Sequence, residues 1–314
     1  MKINKDLHLY GLIGHPTKHS LSPLMHNAAF KEMGIKAKYL LIDVEPGQLK
    51  EFLLNPLFAF KSLEGEDLVS RDLKGFNVTI PYKVKAKEIL EANFQNSQSP
   101  EANHSLLVGA INTVLRSGKG FNWFNTDALG FMQAIKKDLK LKGQNKLKVL
   151  VIGCGGAGRA VISGLSLDDD DLAEAIYVFE INPQVAASAS KHFANFPKAS
   201  EKLQFIKKED IPPLINQCSL LVNASSLGMN EADSSPINKS LLHKDLRVYD
   251  LVYNRQTQLI KDAESLGIQA EDGLSMLLHQ GVKALSYWLD REIPEGVVEM
   301  MKKALKDKIR SKNA

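Results

Sequence analysis

The run Val149–Ala160, Val-Leu-Val-Ile-Gly-Cys-Gly-Gly-Ala-Gly-Arg-Ala, constrains the fold of this chain more than any other stretch. Lys148 to Ile152 reads as a strand buried on both faces, and Gly153, Gly155 and Gly158 follow it on a G-x-G-x-x-G spacing. The first glycine permits a tight turn, the second lets a pyrophosphate approach the backbone, and the third lets a helix pack on the strand. That helix, predicted from Arg159 to Leu165, points its free N–H groups at the phosphates. Ala175 to Glu180 then reads as a second apolar strand ending in a carboxylate, near the ~20-residue offset at which a ribose is met. Strand, glycine turn, helix and acidic strand end together predict a nucleotide-binding sheet. Cys154, Gly156 and Ala157 complete the turn, and Cys154 is small enough to be explained by packing rather than reactivity.

A chain of 314 residues is long for one core, so the flanks of a central nucleotide domain must build a second unit. Net charge of +4 is too mild for a nucleic-acid binder, and the basic tail Lys302 to Lys312 reads as a solvated helix face. No stretch approaches the ~20 apolar residues of a membrane span. The charged start Met1 to Asp6 lacks a signal-peptide core. With only Cys154 and Cys218 there is no disulfide framework, and a cytoplasmic protein is expected.

Along the chain, His8 to Ile13 reads as a strand, followed by a polar turn and a helix from Leu24 to Met33. Ser22 before Pro23 has the pattern of an N-cap with proline at the first helical position. Ser20 has no such role, and two hydroxyls beside a helix N-terminus make a seat for a carboxylate. His15, His19 and His26 come without a Cys or acidic partner, so no metal is expected. Ala37 to Val44 reads as a strand and Gln48 to Leu54 as the start of a helix. Lys74 to Pro81 reads as a strand from which Thr79 projects, with Lys83 opening the helix Val84 to Ala92 despite a dipole that disfavours a cation there. Phe94 to Ser105 reads as a loop or insertion, and Ser117 to Gly120 as a hairpin turn. One of Asn125, Thr126 and Asp127 is expected to cap the helix Ala128 to Leu139, which bridges through Lys140 to Lys146 into the central domain. Further strands are predicted at Leu203 to Ile206, Leu220 to Ala224 and Arg247 to Leu251, with Asp168 to Asp171 a solvated loop. Asn223 starts a polar turn at a strand's C-terminal end, where open parallel sheets bind ligands. Glu271 to Gly273 is read as opening a final helical region.

In order along the chain, Gly11 to Asn27 (GLIGHPTKHSLSPLMHN), Asn77 to Lys83 (NVTIPYK), Gly109 to Thr113 (GAINT), Asn125 to Asp127 (NTD), the glycine turn, Asn223 to Met229 and Met276 to Gln280 resemble the shikimate dehydrogenase family. The resemblance implies an α/β fold of two domains. Residues 1–124 with 272–314 would form an N-terminal substrate domain completed by C-terminal helices, and 125–271 a central Rossmann domain, with a cleft between them. It implies reversible NAD(P)H-dependent reduction of 3-dehydroshikimate to shikimate, on the route to chorismate and the aromatic amino acids. Carried over position by position, Ser20 and Ser22 would bind the substrate carboxylate. Thr79, Asn112, Asp127, Tyr253 and Gln280 would hold the ring hydroxyls. Lys83 and Asp127 would form the catalytic pair, and Gly153 to Gly158, Glu180, Ile181, Asn182, Asn223, Leu251 and Gly273 would line the cofactor. The implied partner is a small molecule, with the chain a monomer or homodimer.

Three departures from the family pattern stand out. Trp123 replaces a usual glycine, Glu180-Ile181-Asn182 replaces Asn-Arg-Thr, and Asn254-Arg255-Gln256-Thr257 replaces a proline-containing segment. The second bears on the cofactor: the family pattern implies NADP, whereas Glu180 argues for NAD, with Arg159, Lys207 and Lys208 as the cations that could still meet a 2′-phosphate. A quinate/shikimate dehydrogenase is the nearest alternative function, and a non-catalytic ligand-sensing module is the alternative of another class.

Overall fold

The structure is a computed structural model that describes residues 7–96, 104–118, 120–141, 146–168 and 170–313, with side chains to residue 309. The central parts of the expected 94–105 loop and 140–146 bridge, Lys119 in the hairpin and the N-terminal Met1 to Asp6 lie outside the described residues. The chain divides into two compact units, residues 1–126 with 280–314, and residues 127–279.

The first unit holds a mixed five-stranded sheet of order β2-β1-β5-β6-β7. β1 (His8–Gly14) lies between β2 (Ala37–Asp43) and β5 (Leu73–Val78) and is parallel to both. Helix α1 (Ser22–Glu32) connects β1 to β2, and α2 (Leu49–Leu54) follows. Alternation along β1 explains the layers: Leu9 and Ile13 join a core with Phe52, Phe76 and Leu90, while Tyr10 faces Phe30 and Trp288. A small antiparallel hairpin, β3 (Ala59–Lys61) with β4 (Asp67–Val69), is absent from the sequence reading. After α3 (Lys83–Asn93) and the single turn α4 (Ser105–Val108), β6 (Thr113–Ser117) and β7 (Gly120–Phe124) finish the sheet as an antiparallel hairpin. Trp123, the residue in place of a glycine, is a buried member of this core.

The second unit opens with α5 (Asp127–Asp138) and carries a six-stranded sheet of order β10-β9-β8-β11-β12-β13, parallel throughout. Its strands are β8 (Leu147–Ile152), β9 (Ala173–Phe179), β10 (Leu203–Phe205), β11 (Leu220–Asn223), β12 (Arg247–Asp250) and β13 (Ala270–Asp272). In order of appearance this is 3-2-1-4-5-6, the doubly wound arrangement in which the order reverses between the first and fourth strands. Val149 and Val151 on β8 face a core with α5, α6 (Gly156–Leu167) and α7 (Pro183–Phe193), and Leu150 and Ile152 face the opposite core with α9 (Ile211–Ile215) and α10 (Gln258–Ser265). The single turn α8 (Pro197–Ser200) precedes β10. β13 corrects the expectation that Glu271 to Gly273 starts a helix. The helix α11 (Leu274–Leu289) begins only after it, and α12 (Glu295–Asn313) then packs on α1 with Lys303, Lys306 and Lys308 exposed. The Asp168–Asp171 segment is not simply solvated: Lys136 pairs with Asp168 and Asp170, and Lys146 and Lys202 hold the Asp171 carboxyl down to about 2. Among the described residues, no helix is long and apolar enough to cross a membrane.

Candidate active site

In the first unit, the loop after β1 is pinned where Thr17 donates its backbone N–H and its hydroxyl to Asp43 Oδ1, each at 2.6 Å. This fixes Ser20 and Ser22 beside the start of α1. Ser20 Oγ donates to Ser22 Oγ at 3.1 Å and accepts the Ser22 N–H at 3.2 Å. The capping expectation for Ser22 is corrected, because Leu21 occupies the cap without a side-chain bond and Ser22 is the first helical residue. Ser22 Oγ therefore stands at a helix N-terminus without capping it, while Ser20 Oγ meets the N–H of the first helical residue, and an anion seated there would take the hydrogen that Ser20 gives to Ser22.

Thr79 and Lys83 lie past the end of β5. The Thr79 N–H bonds Ile13 O at 2.9 Å, and Lys83 begins α3 with its carbonyl accepting the Ile111 N–H at 3.0 Å. That bond ties the Gly109–Asn112 turn to Lys83. Asn112 is buried at the centre of a polar cluster: Nδ2 donates to Thr126 Oγ1 at 2.9 Å and to Gln280 Oε1 at 3.2 Å, and Oδ1 accepts the Thr126 N–H at 2.8 Å. Asn77 extends the cluster, accepting from Tyr39 Oη at 2.8 Å and donating to Asn112 O at 2.9 Å. Asn77 and Tyr39 have no role in the sequence reading, and Thr126 only that of a candidate cap, although Asn77 and Thr126 lie inside motifs quoted for other residues. Their partners are remote in sequence, 38 positions apart for Tyr39 and Asn77 and 154 for Thr126 and Gln280. Asn125 is committed to Ala110 O at 3.0 Å.

His26 is fully buried, with its ring stacked on Tyr39 at 4.5 Å, and burial lowers its pKa to about 3, so it stays neutral. His15 lies 3.8 Å from Glu45 and His19 is exposed. Among the described residues, no three His, Cys, Asp or Glu side chains converge as a metal site.

In the second unit, Asp127 is buried in the first turn of α5, where the helix dipole favours a carboxylate. The glycine turn has the geometry its spacing predicts. Gly153 adopts φ +93°, and a Cβ there would lie 2.8 Å from Ser225 N. A Cβ on Gly158 would overlap the Gly153 carbonyl oxygen, so strand and helix touch backbone to backbone. Gly155 faces open space, and α6 starts directly after it. An open glycine before free helical N–H groups fits a pyrophosphate. The Glu180 carboxylate closes one side: Oε2 accepts the Cys154 N–H at 2.7 Å and Oε1 accepts the Asn182 N–H at 2.9 Å. Ile181 is 85% exposed, and Asn182 caps α7 through Gln184 and Val185. The Cys154 thiol is buried and pushed up to about 12, consistent with its packing role.

On the other side of the switch point, Asn223 accepts from Ser225 Oγ at 2.7 Å and donates to Asp250 Oδ1 at 2.8 Å. Asp250, which the sequence reading passed over, also accepts the Val252 N–H at 3.1 Å and Thr257 Oγ1 at 2.6 Å. Burial pushes its carboxyl up to about 6. The segment carrying Tyr253 is thereby tied to the Asn223 turn. Arg255 reinforces the tie by donating to Asn230 O at 2.8 Å. Gly273 packs against the Leu251 backbone, where a side chain would overlap the carbonyl.

The sheet order, the glycine turn and the carboxylate after the second strand define a dinucleotide-binding protein of the Rossmann class. A family model described as the shikimate dehydrogenase substrate binding domain matches residues 12–114. A shikimate dehydrogenase (NADP(+)) from Pyrococcus furiosus is 33% identical over 302 residues, covering 96% of each chain. Among solved structures, a shikimate 5-dehydrogenase from Listeria monocytogenes in complex with shikimate and NAD aligns with TM-score 0.74 and 29% identity over 97% of this chain and 98% of that one. A quinate dehydrogenase from Corynebacterium glutamicum in complex with NAD aligns with TM-score 0.76 and 27% identity over 96% and 100%. The chain belongs to the shikimate dehydrogenase family of oxidoreductases.

Proposed function

We propose that this chain catalyses the reversible NAD(P)H-dependent reduction of 3-dehydroshikimate to shikimate, a step towards chorismate and the aromatic amino acids. The observation that supports this reading is the pair of hydroxyls on Ser20 and Ser22, bonded to each other at the start of α1 in a loop pinned by Thr17 and Asp43. They suit a carboxylate, while Thr79, Asn112, Tyr253, Gln280 and Asp127 suit ring hydroxyls. NADP(H) or NAD(H), when bound, supplies or accepts the hydride. Lys83 stabilises the negative charge that develops on the ketone oxygen and delivers the proton there, with Asp127 orienting its ammonium. Gly153 to Gly158 receive the pyrophosphate, and Asn223, Leu251 and Gly273 border the nicotinamide end.

The retention of both Lys83 and Asp127 argues against a sensing module, which needs no proton donor. The likeness to the Corynebacterium enzyme supports a second reading, oxidation of quinate, which differs from shikimate at the ring. Initial rates with shikimate and quinate, each with both cofactors, separate the two. Turnover of neither refutes the enzyme reading. A cytoplasmic setting belongs to this proposal, supported by two buried free cysteines, as does a monomeric or homodimeric state.

A further inference from the structure

We infer that Tyr39 is a positioning residue that joins the two halves of the proposed substrate site, the serine pair on α1 and the polar cluster around Asn112, an inference that rests on the proposed reduction of 3-dehydroshikimate. Tyr39 lies on β2 and is 1% exposed. Its tie to α1 is double. Asn27 donates Nδ2 to Tyr39 O at 3.1 Å and accepts the Tyr39 N–H on Oδ1 at 2.8 Å, while the His26 ring stacks on the phenol ring at 4.5 Å and 14°. Among the described residues neither ring nitrogen of His26 has a hydrogen-bond partner, so what His26 gives Tyr39 is a flat face. His26 and Asn27 follow Ser22 by one helical turn, so the phenol is aimed by the same stretch of helix that carries the serine hydroxyl.

The phenol passes its position on through a relay of fixed direction. Tyr39 Oη donates to Asn77 Oδ1 at 2.8 Å, and Asn77 Nδ2 donates to Asn112 O at 2.9 Å and to Thr113 Oγ1 at 3.0 Å. Thr113 Oγ1 donates in turn to Asn112 Oδ1 at 3.0 Å. Backbone groups set the sense. Asn77 must turn its NH₂ to the Asn112 carbonyl, which leaves its oxygen for Tyr39, and Asn112 must turn its oxygen to the Thr126 N–H, which leaves its NH₂ for Gln280. Among the described residues, Tyr39 is the one side chain that meets Asn77 Oδ1, and Asn77 is buried. Without the hydroxyl that oxygen loses its partner, and a buried acceptor left unpaired drives the amide to turn over or move. Either change takes the Asn77 NH₂ from the Asn112 carbonyl and from Thr113, and Asn112 then loses the support that aims its own NH₂.

The test is Tyr39→Phe, which keeps the ring and its stack on His26 and removes one hydroxyl. It is studied alone and combined with Asn112→Ala, by steady-state kinetics and by NMR of protein labelled with ¹⁵N at asparagine. Tyr39→Phe should raise KM for shikimate about tenfold, the equivalent of about 1.4 kcal/mol. Its kcat should stay within about threefold of wild type and its KM for the cofactor should not change, because the lost support acts on substrate and transition state alike. In the Asn112→Ala background the same substitution should raise KM by less than about twofold further, since the group it positions is gone, whereas a merely structural residue gives the same factor in both backgrounds. The Asn112 side-chain amide signals, identified by their loss in Asn112→Ala, should move in Tyr39→Phe. Unchanged KM in Tyr39→Phe, equal factors in the two backgrounds, or unmoved Asn112 signals would each overturn the inference. Wild type that oxidises neither shikimate nor quinate would refute the proposed reaction, and Asn112 signals that still move in Tyr39→Phe would then uphold the positioning role by themselves.

Discussion

Replacing Asp250 by Asn should change how the stability of the second unit depends on pH. The Asp250 carboxyl is fully buried, and its pKa is raised from 3.8 to about 6, by burial first and then by the nearby Asp272 charge, against three hydrogen bonds that favour the ionised form. A folded-state pKa above the unfolded one means that the native unit holds the proton more tightly. The contribution to stability is full below the unfolded value and is lost as pH rises through about 6. A shift of about two units corresponds to about 3 kcal/mol over the whole range, of which about 1.3 kcal/mol falls between about pH 5 and pH 7. Asn at this position does not titrate. Its oxygen can accept from Asn223 and Val252, while its amide can donate to the Thr257 hydroxyl, so the fold tolerates the change. The stability of the variant relative to wild type should therefore rise by about tenfold in the opening equilibrium between those pH values. Both tryptophans, Trp123 and Trp288, lie in the first unit, so their fluorescence is the wrong probe. Amide hydrogen exchange at Val248, on the strand that carries Asp250, and at Leu221 and Val222, on the neighbouring β11, reads the right unit. Parallel pH profiles for the two proteins would refute the argument.

Lys83→Ala should lower kcat by about 10²–10⁴-fold with a smaller change in KM, because the interaction belongs to the transition state. A variant keeping a third of wild-type kcat would remove Lys83 from the mechanism. Ser20→Ala and Ser22→Ala should each raise KM for shikimate by the equivalent of about 1.5–3 kcal/mol. Ser22→Ala should leave Tm nearly unchanged, since that serine caps nothing; equal affinity for shikimate in both variants would place the carboxylate elsewhere. Gly158→Ala drives a methyl group into the Gly153 carbonyl and should cost about 1–3 kcal/mol, checked by thermal unfolding with and without NADH.

The second unit was the more legible in sequence, because a parallel strand buried on both faces is a continuous apolar run and its glycines sit at fixed offsets. The elements that escaped are those whose sequences carry no period. β3 and β4 are three residues each, and Lys61 and Asp67 at their ends are polar, so no alternation can develop. β13, Ala-Glu-Asp, lies at the edge of its sheet, where half-burial tolerates acids; burial raises the pKa of both Glu271 and Asp272. Ser22 was misassigned for a related reason. A serine before proline matches a cap on either side of the helix boundary, and the loop pinned by Asp43 shifts that boundary by one residue.

The segment after Tyr253 shows most clearly what local sequence withholds. A proline there would fix the chain by its own ring, which Asn254-Arg255-Gln256-Thr257 cannot do. The structure supplies the restraint from outside the segment. Thr257 donates to Asp250 and caps α10 by accepting the Ile260 N–H at 3.3 Å, while its methyl sits where a side chain on Gly228 would fall. Arg255 reaches Asn230 O, and Asn254 reaches Met229 O at 3.4 Å. Gly228, at φ +102°, can take that close approach only as glycine. The Tyr253 backbone is thus held between a buried carboxylate on β12 and the turn that follows Asn223. The same carboxylate fixes the Asn223 amide. Asp250 therefore couples two parts of the proposed site that the sequence presents as separate motifs, and it does so through bonds whose partners lie 27 and 7 residues away. Each residue carries chemistry that is visible in the chain, but the pairing exists only once β11 and β12 lie side by side.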